Sequence, residues 1–397
     1  MTPLDAPVLM VDPGNFTPQY DINLATALRS EGWDVEWVTS EYQFERIRAP
    51  EGLPVRELFF RSLAGPGRPP RRPIRIVLKG LAYPAGLLRF DRSVRRLAPG
   101  IIHVQWSHLP WLDALFWSSW RRAGWKVVYT AHDVRPLAGT MPRLLAGGHS
   151  LLVRNADAVV VHSDSERAAA LEMGAHADVL RVIPPAPPIA PGALQVSREA
   201  ARATLGLLPD VPVVLFFGFV KPYKGLSVLL RSLPELIGAV GSVRLVIAGE
   251  IVGSRSRYGR LVAELGVSDS VRWIPGFVPS SDVGTVFAAA DVVALPYVAA
   301  SSSGVLLTAY AFNRPVVASR VGGLIELVQA GEAGVLVPPN DPKALGAAIG
   351  DVLGDPGRAE RMGAEGFRLT QERFTWTGMA RRVDGLYREL LDRSGDN

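Results

Sequence analysis

The chain has 397 residues, 48% of them hydrophobic and 20% charged, a length that exceeds one ordinary core and implies two domains. It contains no cysteine, which excludes disulfides, thiolate metal sites and cysteine nucleophiles. The net charge of +5 is uneven: residues 60–97 carry ten arginines and lysines against Asp91 alone, a local +9 that leaves −4 for the remainder.

The first apolar run, 8–11, lies between Asp5 and Asp12 and reads as a strand, too short for a signal peptide or a membrane span. It opens into Asp12-Pro-Gly-Asn-Phe-Thr-Pro-Gln-Tyr20, a turn-rich loop at a strand end, where open α/β sheets collect ligands. A helix over 21–30 and strands at 34–39 and 55–60 follow. The basic segment 60–97 interleaves its arginines with Ile74, Ile76, Val77, Leu78, Leu81, Leu87, Leu88 and Phe90. An anionic membrane surface or a phosphate-bearing acceptor fits that pattern better than nucleic acid, for which there is no recognition motif. A solvated, arginine-rich helix face is the plainer alternative. Strands at 100–105 and 126–130 flank a tryptophan-rich stretch, 111–120, that reads as a core-packing helix. Strands at 156–162 and 178–183 close the half, and Pro184-Pro-Ala-Pro-Pro-Ile-Ala-Pro-Gly192 is a stiff, extended hinge and a domain boundary.

The second half repeats the alternation, with strands expected at 213–217, 243–248, 271–274, 291–295, 315–318 and 334–337. Helices are expected at 224–238, 282–289, 304–312 and 342–353, and in two closing segments, 356–371 and 377–392. The fold class is α/β, with two βα domains.

Two stretches of the second half are suited to an anion. Strand 213–217 runs into Gly218-Phe-Val-Lys-Pro-Tyr-Lys-Gly225, a tight loop carrying Lys221 and Lys224 to a helix start. Pro296-Tyr-Val-Ala-Ala-Ser-Ser-Ser-Gly304 leads from a strand to another helix start, with Ser301, Ser302 and Ser303 as N-cap candidates and Gly304 allowing close backbone approach. There is no G-x-G-x-x-G turn, no G-x-x-x-x-G-K-[ST] loop and no H-E-x-x-H, so dinucleotide, P-loop and zinc-hydrolase readings fail. No metal is expected. A diphosphate here would be neutralised by side-chain cations and backbone donors.

The ordered set Gly218-x5-Lys224-Gly225, Ile247-Ala-Gly249, Gly276-Phe-Val278, Ala290-Asp-Val-Val-Ala-Leu-Pro-Tyr297, Pro315-Val-Val-Ala-Ser319, Gly322-Gly323 and Glu332-Ala-Gly-Val-Leu-Val-Pro-Pro-Asn-Asp341 resembles the retaining GT-B glycosyltransferases of family four. Ile102-His-Val-Gln105, Tyr129-Thr-Ala-His-Asp133 and Ala156-Asp-Ala-Val-Val-Val-His-Ser163 extend the resemblance through the first half. It implies two Rossmann-like domains facing each other across a cleft. Residues 1–185, completed by a C-terminal helix near 377–397, would take the acceptor, and 186–376 the nucleotide-sugar donor, UDP- or GDP-linked.

By the same resemblance Lys224 binds the donor diphosphate, with Gly218, Ser302, Ser303, Gly304 and Val305 around it. The position after Gly218, usually arginine, is Phe219, so Lys221 is assigned the second cation. Phe277 and Val278 correspond to the loop that holds the nucleobase, and His132 to a histidine at the donor sugar. His132 and Lys224 are the expected catalytic pair. Gly14, Asn15, Phe16 and Tyr20 are expected on the acceptor side. The family's two glutamates, eight residues apart, fall on Ala300 and Thr308 here, and Thr308 retains only a hydroxyl for the ribose.

The implied activity is metal-independent transfer of a sugar, with retention, to a saccharide or lipid-linked acceptor in polysaccharide or glycolipid synthesis. Other readings are a nucleotide-sugar binding protein that has lost catalysis and a nucleotide-sugar epimerase. The expected location is cytoplasmic, peripheral at the inner membrane face if residues 60–97 engage it.

Overall fold

The computed structural model describes residues 6–61, 72–134, 143–190 and 192–393, with the backbone alone described at 72–77, 143–147 and 194. Short β-branched runs separated by amphipathic segments form successive βα units, which pair in parallel. The first half contains β1 (Val8–Asp12), α1 (Pro18–Ser30), β2 (Val35–Thr39), β3 (Val55–Glu57), α2 (Arg72–Val94) and β4 (Ile101–Val104). It continues through α3 (Pro110–Arg122), β5 (Lys126–Thr130), α4 (Arg143–Asn155), β6 (Ala158–Val161), α5 (Asp164–Glu172) and β7 (Leu180–Val182). Then come α6 (Arg198–Leu205), β8 (Val213–Phe217), α7 (Leu226–Val240), β9 (Arg244–Gly249), α8 (Arg255–Glu264), β10 (Val271–Pro275) and α9 (Val283–Ala288). The chain closes with β11 (Val292–Leu295), α10 (Gly304–Ala311), β12 (Val316–Ser319), α11 (Gly323–Gln329), β13 (Gly334–Val337), α12 (Pro342–Gly354), α13 (Pro356–Glu372) and α14 (Trp376–Asp392).

Contacts divide the described residues into two compact units, 6–134 with 143–185 and 376–393, and 186–190 with 192–375. The first holds a seven-stranded parallel sheet in the order β3-β2-β1-β4-β5-β6-β7, the second a six-stranded one in the order β10-β9-β8-β11-β12-β13. Strand order reverses between β1 and β4 and again between β8 and β11. In such sheets ligands bind beyond the strand C-termini at the reversal.

Both faces of each sheet are covered, which is why the strands are apolar throughout rather than alternating. In the first unit Leu9, Val11, Ile102 and Val104 pack toward α2 and α3, and Val8, Met10 and Ile101 toward α1 and α14. α14 is tied in by polar bonds as well: Tyr387 Oη lies 2.6 Å from His103 Nδ1, and Trp33 Nε1 donates to Asp384 at 2.9 Å. In the second unit the fully buried Arg202 of α6 donates to the carbonyls of Ala289, Leu208, Pro209 and Val211 and to the Asp291 carboxylate. It thereby fastens the segments that lead into β8 and β11.

Some expected elements shift. The strand expected over 55–60 stops at Glu57, because Leu58, Phe59 and Phe60 leave the sheet and bury themselves under α2, with Phe59 and Phe60 stacked on Tyr83. The helix expected from Lys224 begins at Leu226. Residues Pro222–Lys224 form one 3₁₀ turn, and Gly225 breaks the helical path at φ +69°. In the tryptophan stretch Trp117 and Trp120 are core, while Trp111 is half exposed. In the basic segment, 62–71 lie outside the described residues. α2 buries Tyr83, Leu87, Phe90 and Val94 and exposes Leu81, Leu88, Arg89 and Arg92.

Candidate functional site

In the second unit, Gly218 ends β8 at φ +93°, and its carbonyl passes so close to Gly249 (φ +141°) that a Cβ there would sit 2.2 Å from it. The chain then turns through Lys221 and Lys224, the Lys224 N–H donating to the Lys221 carbonyl at 3.0 Å. Gly225 lies against Pro296, where a Cβ would meet the carbonyl oxygen at 1.8 Å. Glycine is therefore required at both contacts, and together they press the lysine loop against the strands on either side.

Half-buried Lys224 points back beneath the loop, its Nζ 3.5 Å from the Phe217 carbonyl and 5.5 Å from the Tyr297 ring centre. Burial lowers its pKa to about 8. Lys221 Nζ lies 5.8 Å from the Tyr223 ring, and Tyr223 and Tyr297 meet edge to face at 6.3 Å. The two lysines thus flank one pair of tyrosines. Tyr297 is buried, and burial pushes its phenol upward, so it stays neutral beside Lys224.

Ser303 caps α10, accepting the Leu306 N–H at 3.3 Å, and Gly304 packs on Pro188. The side chain of Val305 comes within 3.8 Å of where a Gly218 Cβ would stand, so the α10 start and the lysine loop adjoin. Ser302 lies in the loop just before this cap, half-buried. Phe277 follows Gly276 (φ +96°) and pairs with Phe219 at 6.4 Å, so the position where arginine was expected forms an aromatic wall instead. The Val278 side chain joins the core, which leaves its backbone as the available surface. Thr308 is buried, and its hydroxyl donates to the Gly304 carbonyl at 2.8 Å, so toward any other group it can only accept. Ala300 packs against the core, its carbonyl 1.9 Å from where a Cβ on Gly322 would be.

In the first unit the loop after β1 is wound around Asp12. Its carboxylate accepts the N–H groups of Gly14, Phe16 and Thr17 at 3.1, 2.6 and 3.2 Å. Asp21 lies beside it, also fully buried. Burial raises Asp12 to about 6 against the effect of those amides, and burial and the neighbouring Asp12 raise Asp21 well above the carboxylate range. Of the two, Asp21 is the one held more strongly toward its neutral form, because it lacks the three backbone amides that Asp12 accepts.

His132, just past β5, is stacked on Trp106 (4.9 Å, 10° between planes) and meets the edge of Tyr20 at 4.8 Å. Its Nε2 is 3.1 Å from Oε1 of the buried Gln105. Burial, then the neighbouring His162 and His103, hold its pKa well below 6.5, so the ring is neutral. Trp106 is itself fixed by an Nε1 bond to Thr17 Oγ1 at 2.9 Å. His162 Nδ1 donates to the Ile183 carbonyl at 2.9 Å, which leaves Nε2 to accept from Tyr20 Oη at 3.3 Å. Tyr20, expected on the acceptor side, is thus a buried support for His132. Asn15 is buried too, at φ +50°, its amide donating to the Ser40 carbonyl. A Cβ on Gly14 would run into the Phe16 ring. Phe16, 48% exposed beside Trp106, is the member of this group that faces outward.

Sequence reasoning passed over Asp12, Asp21, Gln105, Trp106, His162, Tyr223 and Tyr297. Only Asp12 carried a local signal, an aspartate before Pro-Gly that can turn back on its own loop. Among the described residues no group of three or more His, Asp or Glu is arranged to hold a metal ion.

Residues 211–355 match the family described as glycosyl transferases group 1, and residues 22–186 match the glycosyl transferase 4-like domain. The chain belongs to the group 1 glycosyl transferases. This glycosyltransferase is 33% identical to a D-inositol 3-phosphate glycosyltransferase of Acidothermus cellulolyticus across 94% of its length and 85% of the relative's. A second, from Kineococcus radiotolerans, is 29% identical over 95% and 91%. Among solved structures, sucrose-phosphate synthase from Thermosynechococcus elongatus superposes with a TM-score of 0.76 at 25% identity, covering 98% of this chain and all of that one. Anabaena HepE, solved with UDP and glucose, gives 0.70 at 18% identity over 96% and 99%. The glycosyltransferase therefore has the two-domain α/β GT-B fold.

Proposed function

We propose that this glycosyltransferase moves a sugar from a UDP- or GDP-sugar to a hydroxyl acceptor with retained anomeric configuration and without a metal. The observation that carries the reading is Lys224, held half-buried between Gly218 and Tyr297 beside the capped start of α10. A diphosphate there would meet Lys224, Lys221 and the free N–H groups of α10, with Phe277 and the Val278 backbone at the base and Thr308 accepting from the ribose. In the reaction the bond from the anomeric carbon to the diphosphate oxygen breaks. A bond from the acceptor oxygen forms on the same face, and the acceptor proton passes to the leaving phosphate. Neutral His132 orients the sugar by hydrogen bonding and takes up no charge in that step.

HepE was solved with UDP-glucose as well as with UDP and glucose, which supports a UDP-linked donor here. The D-inositol 3-phosphate glycosyltransferase relatives favour an anionic, polyhydroxyl acceptor, for which Phe16 and its loop are the assigned contact. A saccharide or lipid-linked acceptor remains the broader class. The test is turnover and melting temperature across a panel of nucleotide sugars, with and without EDTA. Donor-dependent stabilisation and EDTA-resistant turnover, both lost in Lys224→Ala, are expected. Binding without turnover for every acceptor supports the impaired-enzyme reading, and release of free nucleotide with no acceptor supports the epimerase.

The exposed Leu81, Leu88, Arg89 and Arg92 of α2 are assigned to peripheral contact with an anionic membrane. Among the described residues no helix is long and apolar enough to cross one. Co-sedimentation with phosphatidylglycerol vesicles that weakens with salt is the expected result, and salt-indifferent or absent binding rejects it.

A further inference from the structure

Among the described residues β13 is the last strand of the second sheet and pairs on one side only, with β12. Arg320 N–H donates to the Val337 carbonyl at 2.8 Å. In a parallel ladder a residue turns both of its backbone groups to the same side, and successive residues alternate. Val335 and Val337 are therefore spent on β12, while the N–H and C=O of Gly334 and Leu336 face the open edge. Those two residues line a groove of about 970 Å³ whose far wall is α13. The helix contributes Arg358, Arg361, Met362 and Glu365, the spacing of a single helical face, and Arg320 stands at one end.

The groove is basic where it is free. Glu365 already accepts from Nη2 and Nε of Arg368, at 2.7 and 2.8 Å. Arg320, Arg358 and Arg361 are exposed and have no ion-pair partner among the described residues, and of the lining acids only Glu332 is left against them. We propose that this groove is a docking site for an extended acidic segment of a partner protein, added to β13 as a further strand. The partner's backbone would pair with Gly334 and Leu336, and its carboxylates would meet the three guanidiniums. Its peptide backbone distinguishes it from a small anion, which has no use for an open strand edge.

A displayed library of eight-residue segments, Asp or Glu alternating with Val, Ile, Thr or Tyr, is selected on the full-length protein. The recovered sequences are made as labelled peptides. Their affinity is expected to fall at least tenfold in Arg358→Glu/Arg361→Glu, and to vanish when alternate peptide amides are methylated. Nucleotide affinity of that variant stays unchanged, which reports its fold. In the unaltered protein, hydrogen exchange at the Gly334 and Leu336 amides slows at least tenfold with peptide bound, while Val335 and Val337, already bonded, change little. The proposal is overturned if no sequence is recovered, if peptides bind the double variant equally well, or if protection appears elsewhere. Concentration-dependent protection of the edge without peptide would assign the groove to a second copy and also overturn it.

Discussion

Lys224 makes nucleotide affinity depend on pH in a way no ordinary surface lysine would. Free, its pKa is about 8, lowered by burial from 10.5. A diphosphate against the ammonium favours the charged form and returns the group toward its ordinary value. Binding therefore takes up a proton above pH 8. At pH 7 nearly all free enzyme is ready, whereas at pH 9 only about one molecule in ten is, and affinity is expected to be about tenfold weaker. Tyr297, the titratable group facing Lys224, is pushed further up and stays silent over this range. Isothermal titration with UDP and GDP between pH 7 and 9.5, in buffers of different ionisation heat, reads both the affinity and the proton. Lys224→Met should bind about 10- to 150-fold more weakly at pH 7, the loss of one charge-assisted contact, and lose the pH dependence. A flat profile in the unaltered enzyme, or unchanged affinity in Lys224→Met, refutes the reasoning.

Further outcomes follow from other sites. His132→Ala should lower kcat by about 100-fold with little change in nucleotide affinity, and the unaltered enzyme should show no histidine limb between pH 6 and 8, because the ring is already neutral. Acidification should destabilise the fold. His103 is held at about 3, His108 and His162 at about 4, and His132 and His149 also below the ordinary 6.5, so the unfolded chain takes up protons first and stability is lost as pH falls from about 6.5 toward 4. Asp12 and Asp113, raised to about 6, and the still higher Asp21 act oppositely, gaining stability below their folded values, but they are outnumbered. A net loss of at least about 1.4 kcal/mol per pH unit is expected by urea unfolding between pH 6 and 4.5, and a rise would contradict it. Arg202→Met should cost about 3–5 kcal/mol in the same assay, since it leaves four carbonyls without their side-chain donor and leaves Asp291 with only Arg198 and the Val213 N–H. Arg202→Lys should recover little, lacking the fork.

The alternation of apolar runs with helical spacing was enough to read both parallel sheets, because strands buried on two faces have no polar alternation to confuse the pattern. It misjudged 58–60, as apolar as a strand, because nothing local distinguishes pairing in a sheet from packing beneath α2. The glycines and lysines of the 218–225 loop were likewise visible in spacing alone. The aromatic surroundings were not. Tyr223 and Tyr297 lie 74 positions apart, and Trp106, His132 and His162 come from the ends of three different strands. Only parallel register sets such residues side by side. Tyr20 misled for the opposite reason: its place in a ligand-type loop said nothing of a hydroxyl turned inward to His162.

The way α14 joins the first unit bears on how the protein is made. Its Met379, Ala380, Val383, Leu386, Tyr387 and Leu390 complete the apolar layer against α1, β1 and β2, and Tyr387 reaches His103 in the sheet. During synthesis the second unit is one continuous stretch and is whole before that helix has left the ribosome. The half that emerges first is the half that finishes last. A chain cut short near residue 375 would carry one complete domain and one with an uncovered sheet face, a client for chaperones.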